Sequence, residues 1–318
     1  VGWVTYRPNG LVSSHVFPHP PMPSLYFDNN ATTFLDPRVA DAMHQCARSG
    51  LANPASQHHA GQAARRRLEA ARDRIVTLLG ANTRGMSADR LIFTSGGTEA
   101  NNLALFGLVG DAPSRVIVSS LEHPSVLAAA EQLARRGCEV SRIRAHSNGV
   151  FDVDHFLELL TSDVRLVSVM LANNETGVLQ PVGEIIRIAA ERNILVHVDA
   201  VQVAGKLPVQ FHSLGAAAVT IAPHKFHGPV GIGALLLRHD VSLQALHFGG
   251  FQQMGLRPGT ESVALAVGFE QALEVWAAEA VERRKRMQQL RDAFERRLRT
   301  ELTNFVVHGE SADRLPHV

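Results

Sequence analysis

Three apolar runs of strand length, Arg165–Leu171, Ile194–Asp199 and Ala217–Ala222, constrain this chain more than any other feature. Each is nearly continuous rather than alternating, the pattern of a strand buried on both faces. Helical stretches lie before and between them. Arg38–Arg48 and Gln57–Leu79 are amphipathic, the second closed by Gly80. A short apolar strand, Leu91–Thr94, runs into Gly96 and Gly97 and then a helix over Thr98–Leu108. Val116–Ser119 reads as a strand before a helix over Ser125–Arg136. A strand follows Cys138, Gly183–Glu191 is helical, and Gly231–Leu237 is a further strand. Such alternation predicts an α/β fold built on a mostly parallel sheet.

The pattern changes at Glu261. From there to Leu302 runs one long helical stretch, apolar at first and then strongly charged. It is expected to leave a large domain over 25–260. Residues 261–318 then hold the linking helix and the start of a small α+β domain, whose first strand is predicted at Asn304–Val307. Residues 1–24 are proline-rich, lack an acidic side chain and show no period, so they are expected to form a disordered or arm-like extension. They do not combine the charge, apolar run and cleavage site of a secretory signal, and Met22 is a candidate start.

Hydrophobic residues make up 45% and charged residues 19%, which supports a sizeable core. Thirty-one basic side chains against 30 acidic ones leave a net charge of +1, so nucleic acid is not an expected partner. No apolar run approaches the roughly 18 residues of a membrane span, and no membrane partner is expected. Two cysteines, Cys46 and Cys138, suit a reducing compartment, and a cytoplasmic location is the expectation. No metal site is expected. Only three of the basic residues are lysines: Lys206, Lys225 and Lys285.

Several strand ends carry polar residues. Asp199 closes Ile194–Asp199, where open sheets bind ligands, although it also suits the cap of a following turn. Lys225 follows Ala217–Ala222 within a few residues, flanked by His224 and His227. Partial burial there would lower its basicity and free the amine as a nucleophile; a solvated charge is the rival reading. Lys206, in a turn, and Lys285, among arginines, read as solvated charges. Gly96-Gly97-Thr98 opens a helix and offers backbone N–H groups and a hydroxyl to a phosphate, or is simply a capped helix start. His123 and Asn173-Asn174 follow two further strands. A phosphorylated pyridine aldehyde needs an amine, an acid for its ring nitrogen, phosphate donors and a flat group over the ring. Lys225, Asp199, Gly97 and Thr98 with His224, and His123 meet those four needs.

The order of NNATT (29–33), NPAS (53–56), FTSGGTEANN (93–102), EHPSV (122–126), LANNETG (171–177), HVDAVQ (197–202), PHKFHGPVGIGAL (223–235) and RPGTES (257–262) resembles the cysteine desulfurase and selenocysteine lyase family. That family falls in the class V aminotransferase group of fold type I pyridoxal phosphate enzymes. The resemblance spans residues 25–318 and implies a large domain with a mostly parallel seven-stranded sheet. It implies that Lys225 is the Schiff-base lysine and moves the Cα proton, and that Asp199 partners the pyridine nitrogen. By the same likeness His123 stacks on the ring and relays protons, Asn174 and Gln202 lie near the ring hydroxyl, and Thr98 and His224 bind the phosphate beside Gly97. Thr260 matches a residue that reaches the neighbouring subunit's phosphate, which implies a homodimer with shared sites.

The implied reaction converts L-cysteine to L-alanine and an enzyme persulfide, for iron–sulfur assembly or thio-modification through a sulfur-acceptor protein. L-selenocysteine is the close variant. A C–S lyase or aminotransferase without a cysteine nucleophile, or an inactive fragment, are the alternatives. Two departures stand out. Ala222-Pro223 replaces the Ser-Gly that often precedes the His-Lys pair, removing one phosphate donor. The family's reactive cysteine and its carboxylate-binding arginine fall beyond Val318, so the chain is read as cut short within its small domain. Cys46 and Cys138 match neither position and are read as structural.

Overall fold

The computed structural model describes residues 25–318; the expected extension over residues 1–24 lies outside the described residues. In chain order the elements are α1 (Pro37–Arg48), α2 (His59–Leu78), β1 (Arg90–Thr94), α3 (Gly97–Val109), β2 (Arg115–Ser119), α4 (Pro124–Arg135) and β3 (Glu139–Ile143). Then come α5 (Val153–Leu159), β4 (Val164–Met170), α6 (Val182–Ala190), β5 (Leu195–Asp199), α7 (Phe211–Leu214), β6 (Ala218–Ile221), β7 (Gly233–Leu237) and α8 (Val263–Glu301). The predicted helices and strands up to β7 fall within a few residues of these. Short α5 and α7 escaped prediction because neither is long enough to show a helical period.

The strands form one seven-stranded sheet in the order β1-β7-β6-β5-β4-β2-β3. All neighbours are parallel except β7, which is antiparallel to both β1 and β6. The continuous apolar runs have the cause predicted for them. Val167, Val169, Val196, Val198, Val219 and Ile221 face one core, shared with α1, α2, α6 and α8. Leu166, Ala218, Leu235 and Leu237 face the other, shared with α3 and α4. One polar line crosses the buried centre. His197 Nδ1 meets Ser168 Oγ at 2.8 Å, and its Nε2 meets Thr220 Oγ1 at 2.9 Å, joining β4, β5 and β6. Burial drives the His197 imidazole down to about 3, so it stays neutral and each ring nitrogen has a hydroxyl partner.

α8 is one uninterrupted helix of 39 residues, capped by the Ser262 hydroxyl accepting from the Leu265 N–H. Its buried residues, from Val263 to Trp276, all lie in the amino-terminal part and pack on α1 and α2. Beyond them the helix is charged and largely exposed. The strand predicted at Asn304–Val307 does not form; that segment is irregular, and Val306 is exposed. A strand needs a neighbour to bond, and none lies alongside. The chain instead rejoins the body further on. Leu179 N–H donates to the Asp313 carbonyl, Leu315 N–H donates to the Gly177 carbonyl, and Leu315 is buried.

Candidate active site

Loops leaving β1, β2, β4, β5 and β6 enclose a cavity of about 250 Å³ at one edge of the sheet. Gly97, Thr98, His123, Asn174, Asp199, Gln202, His224 and Lys225, eight of the nine residues singled out from the sequence, line it together. The ninth, Thr260, lies elsewhere, in a surface cavity with His247, Phe248 and Arg257.

Asp199 sits at the end of β5, 7% exposed. Its Oδ2 accepts from Asn101 Nδ2 at 2.8 Å and its Oδ1 from the Val201 N–H at 2.9 Å. Capping the turn and facing the cavity are therefore both true of it. Burial pushes the carboxyl above the usual carboxylate range, against those two bonds and the charges of His123 and Lys225. Among the described residues no cation lies within ion-pair distance of it. A buried carboxylate oriented by two donors and short of a cation suits a protonated aromatic nitrogen.

Asn101 was missed in the sequence. It lies one helical turn beyond Gly97 on α3 and is almost fully buried. Its amide also donates to Ser125 Oγ at 2.8 Å, and Ser125 Oγ meets His123 Nδ1 at 2.8 Å. A chain of contacts thus runs from His123 to Asp199 and fixes both. The signal was an amide pair, Asn101-Asn102, opening an otherwise apolar helix.

The Lys225 amine donates to the carbonyls of Asn30 and Ala31, the latter at 2.9 Å. Desolvation lowers its basicity, opposed by Asp199 and Asp28. The NNATT segment is therefore a wall of the site: Asn30 also donates to the Asn174 carbonyl at 3.0 Å and meets His317 Nε2 at 2.8 Å. His224 is lowered to about 4, chiefly by burial and then by Lys225 and Lys206, which leaves a neutral imidazole beside Thr32.

Gly96 precedes α3 without a side-chain cap, so the first N–H groups of the helix lack intrahelical partners. With the Thr98 hydroxyl they are a set of donors that could hold an anion. Gly233 on β7 permits this turn. A Cβ there would stand 2.5 Å from the Gly96 carbonyl carbon.

The donors, carboxylate and amine suit one phosphorylated pyridine aldehyde. Comparison with known proteins agrees. The aminotransferase class-V family profile matches residues 25–318. The chain belongs to that family. It is 39% identical over 298 residues to a cysteine desulfurase of Enterobacter agglomerans, covering 93% of this chain and 73% of the relative. It is 36% identical to the cysteine desulfurase IscS of Dictyoglomus turgidum, over 92% of this chain and 74% of that protein. A solved structure described as a NifS-like protein superposes with a TM-score of 0.86 at 35% identity, covering 92% of this chain and 80% of its own. The chain is a pyridoxal phosphate-dependent enzyme of the cysteine desulfurase type.

One sequence expectation is overturned here. Lys206, read as a solvated charge, is 4% exposed. The backbone at Gly205, with φ +74°, passes so close beneath Phe226 that a Cβ would lie 2.0 Å from that side chain. Lys285 is exposed on α8, as expected. Cys46 and Cys138 are free and line neither this cavity nor the larger one beside it.

Proposed function

We propose that this cysteine desulfurase acts on L-cysteine through Lys225, with L-selenocysteine as the nearest alternative substrate, and passes the sulfur to an acceptor protein. One juxtaposition carries the reading: the Lys225 amine, the Asp199 carboxylate and the uncapped start of α3 face a single cavity of about 250 Å³. When bound, pyridoxal phosphate supplies an aldehyde that condenses with amines and a ring that draws electrons from the substrate Cα.

The chain's own groups would do the rest. Gly97, Thr98 and His224 would hold the phosphate. Asn174 and Gln202 would hold the ring hydroxyl. Asp199 would keep the ring nitrogen protonated, fixed in place by Asn101 and Val201. Lys225 has its basicity reduced by burial, so it is a neutral amine for more of the time, able to take a proton from Cα and return it. His123 has Nδ1 committed to Ser125, which leaves Nε2 as its proton-exchanging position. Sulfur must leave the substrate for a thiolate. Burial pushes the Cys46 thiol up, and we assign this step to neither Cys46 nor Cys138.

Product analysis tests the reading. Protein loaded with pyridoxal phosphate and given L-cysteine with a thiol acceptor is expected to release alanine and form persulfide. Exchange of the substrate Cα hydrogen in heavy water reads the Lys225 step separately. Lys225→Ala is expected to slow that exchange about 10²–10⁴-fold. Pyruvate with free sulfide as products, or exchange unaffected by Lys225→Ala, would overturn the proposal.

A further inference from the structure

A second lysine lies beside the site and does not line its cavity. Lys206 lies in the turn after β5, almost fully buried, and its amine donates to Gln202 Oε1 at 3.1 Å. Gln202 in turn donates through Nε2 to the Asn30 carbonyl at 3.0 Å, the same carbonyl that receives the Lys225 amine. A carboxamide is symmetric in shape but not in chemistry. A donor on its oxygen decides which end is the amide nitrogen. Lys206 and Lys225 also line one wall of a larger cavity, about 1080 Å³, on the far side of the NNATT segment.

A buried cation calls for a counter-ion, and Lys206 has none within 4.0 Å among the described residues. Six other charged or titratable groups face that cavity. Asp36 is bound by Arg38 and Arg283, and Glu295 by Arg314. Arg291 donates to the Leu315 and Val318 carbonyls. His227 bonds the Phe34 carbonyl. His317 is lowered to about 3 by burial, Lys206 and Arg291, and is neutral. The acids are already committed elsewhere, and the remaining groups are cationic or neutral. Lys206 is itself lowered to about 7, by burial and then by Lys225.

We propose that Lys206 is a positioning residue for the site. Its buried amine fixes the Gln202 carboxamide with the nitrogen toward the Asn30 wall, and when protonated it sets a second cation near Lys225. Asp199 and Asp28 are the charges that favour a proton on Lys225; a protonated Lys206 would oppose them and favour the nucleophilic amine. This rests on the assignment of Lys225 as the cofactor's amine.

The test is the pH titration of the visible absorption band of bound pyridoxal phosphate in the full chain. Lys206→Met removes the charge and the Gln202 donor at similar length. Its titration midpoint is expected to rise by about one pH unit. Lys206→Arg keeps a permanent cation and is expected to leave the midpoint unchanged or lower it. A midpoint that stays put in both folded variants overturns the proposal, as does a rise of equal size in Lys206→Arg. Should Lys206→Met fail to fold, Lys206→Gln takes its place, with the same rise expected and an unmoved midpoint overturning the proposal. A visible band absent from the unsubstituted protein, or persisting in Lys225→Ala, would show instead that the assignment of Lys225 is wrong.

Discussion

At the scale of single residues, the site depends on side chains whose charge is set by burial. Glu122 is an instance beside His123. Its Oε1 accepts from Ser119 Oγ and from the Met170 N–H, while Oε2 is buried without a partner. Burial, with Asp199 adding to it, raises this carboxyl from 4.5 to about 8. The folded protein therefore holds a proton that the unfolded chain has released between those values. Stability from this group is lost as pH rises through that window. Glu122→Gln keeps the shape without the charge. Its melting temperature relative to the parent is expected to improve steadily from the lower end of the window to the upper. Ala222 supplies a second case. Its methyl is fully buried and lies 3.6 Å from where a Cβ on Gly97 would stand, next to the anion-binding turn. Ala222→Ser is expected to tighten pyridoxal phosphate about tenfold, by adding one donor to a charged group, as read by titration of the apo-protein. Lys225 and Asp199 were legible in the sequence because Asp199 closes one buried strand and Lys225 follows another within a few residues. Asn101, Ser125 and Lys206 were not: Asn101 and Ser125 meet each other only once α3 and α4 are packed together, and the burial of Lys206 depends on segments distant in the chain.

At the scale of elements, apolar continuity in β4, β5 and β6 was enough to predict their burial on both faces. It did not reveal the Ser168–His197–Thr220 line, since three single polar residues on separate strands meet only once the register is set. The junction of β7 with the turn before α3 is equally tertiary. A Cβ on Gly233 would meet Gly96 carbonyl carbon, Cα and oxygen at 2.5, 2.7 and 2.8 Å, and backbone cannot swing aside as a side chain can. Gly233→Ala is expected to cost about 1–3 kcal/mol in a urea titration and to weaken cofactor binding at the displaced turn. The strand predicted at Asn304–Val307 failed for the complementary reason: its apolar residues offered a propensity with no adjacent edge to satisfy it.

At the scale of the whole molecule, the domain division at residue 260 remains a proposal, with α8 as the element that leaves the sheet. Its outer half carries exposed Leu290 and Phe294, and Phe27 and Phe34 are exposed on the same large cavity. Thr260 stands apart from the site. That position is compatible with the proposal that it serves the neighbouring subunit of a homodimer. Mixing Lys225→Ala with a Thr260→Trp variant tests this. A shared site predicts one intact centre per mixed dimer, and hence activity above that of either variant alone. No gain on mixing, in a preparation shown to contain mixed dimers, would place Thr260 outside the partner's site. The amino-acid sequence by itself determined the α/β layering and the strand ends whose polar residues converge on one cavity, among them the amine, the acid and the glycine turn proposed to hold the cofactor. Those features are local: periodicity, burial of a run, and the residue that follows it. Only the tertiary structure decided that Lys206 is buried, that Asn101 orients Asp199, and that Ala31 walls the cavity. Desolvation and hydrogen bonding depend on what surrounds a group in space, which no single stretch of chain contains.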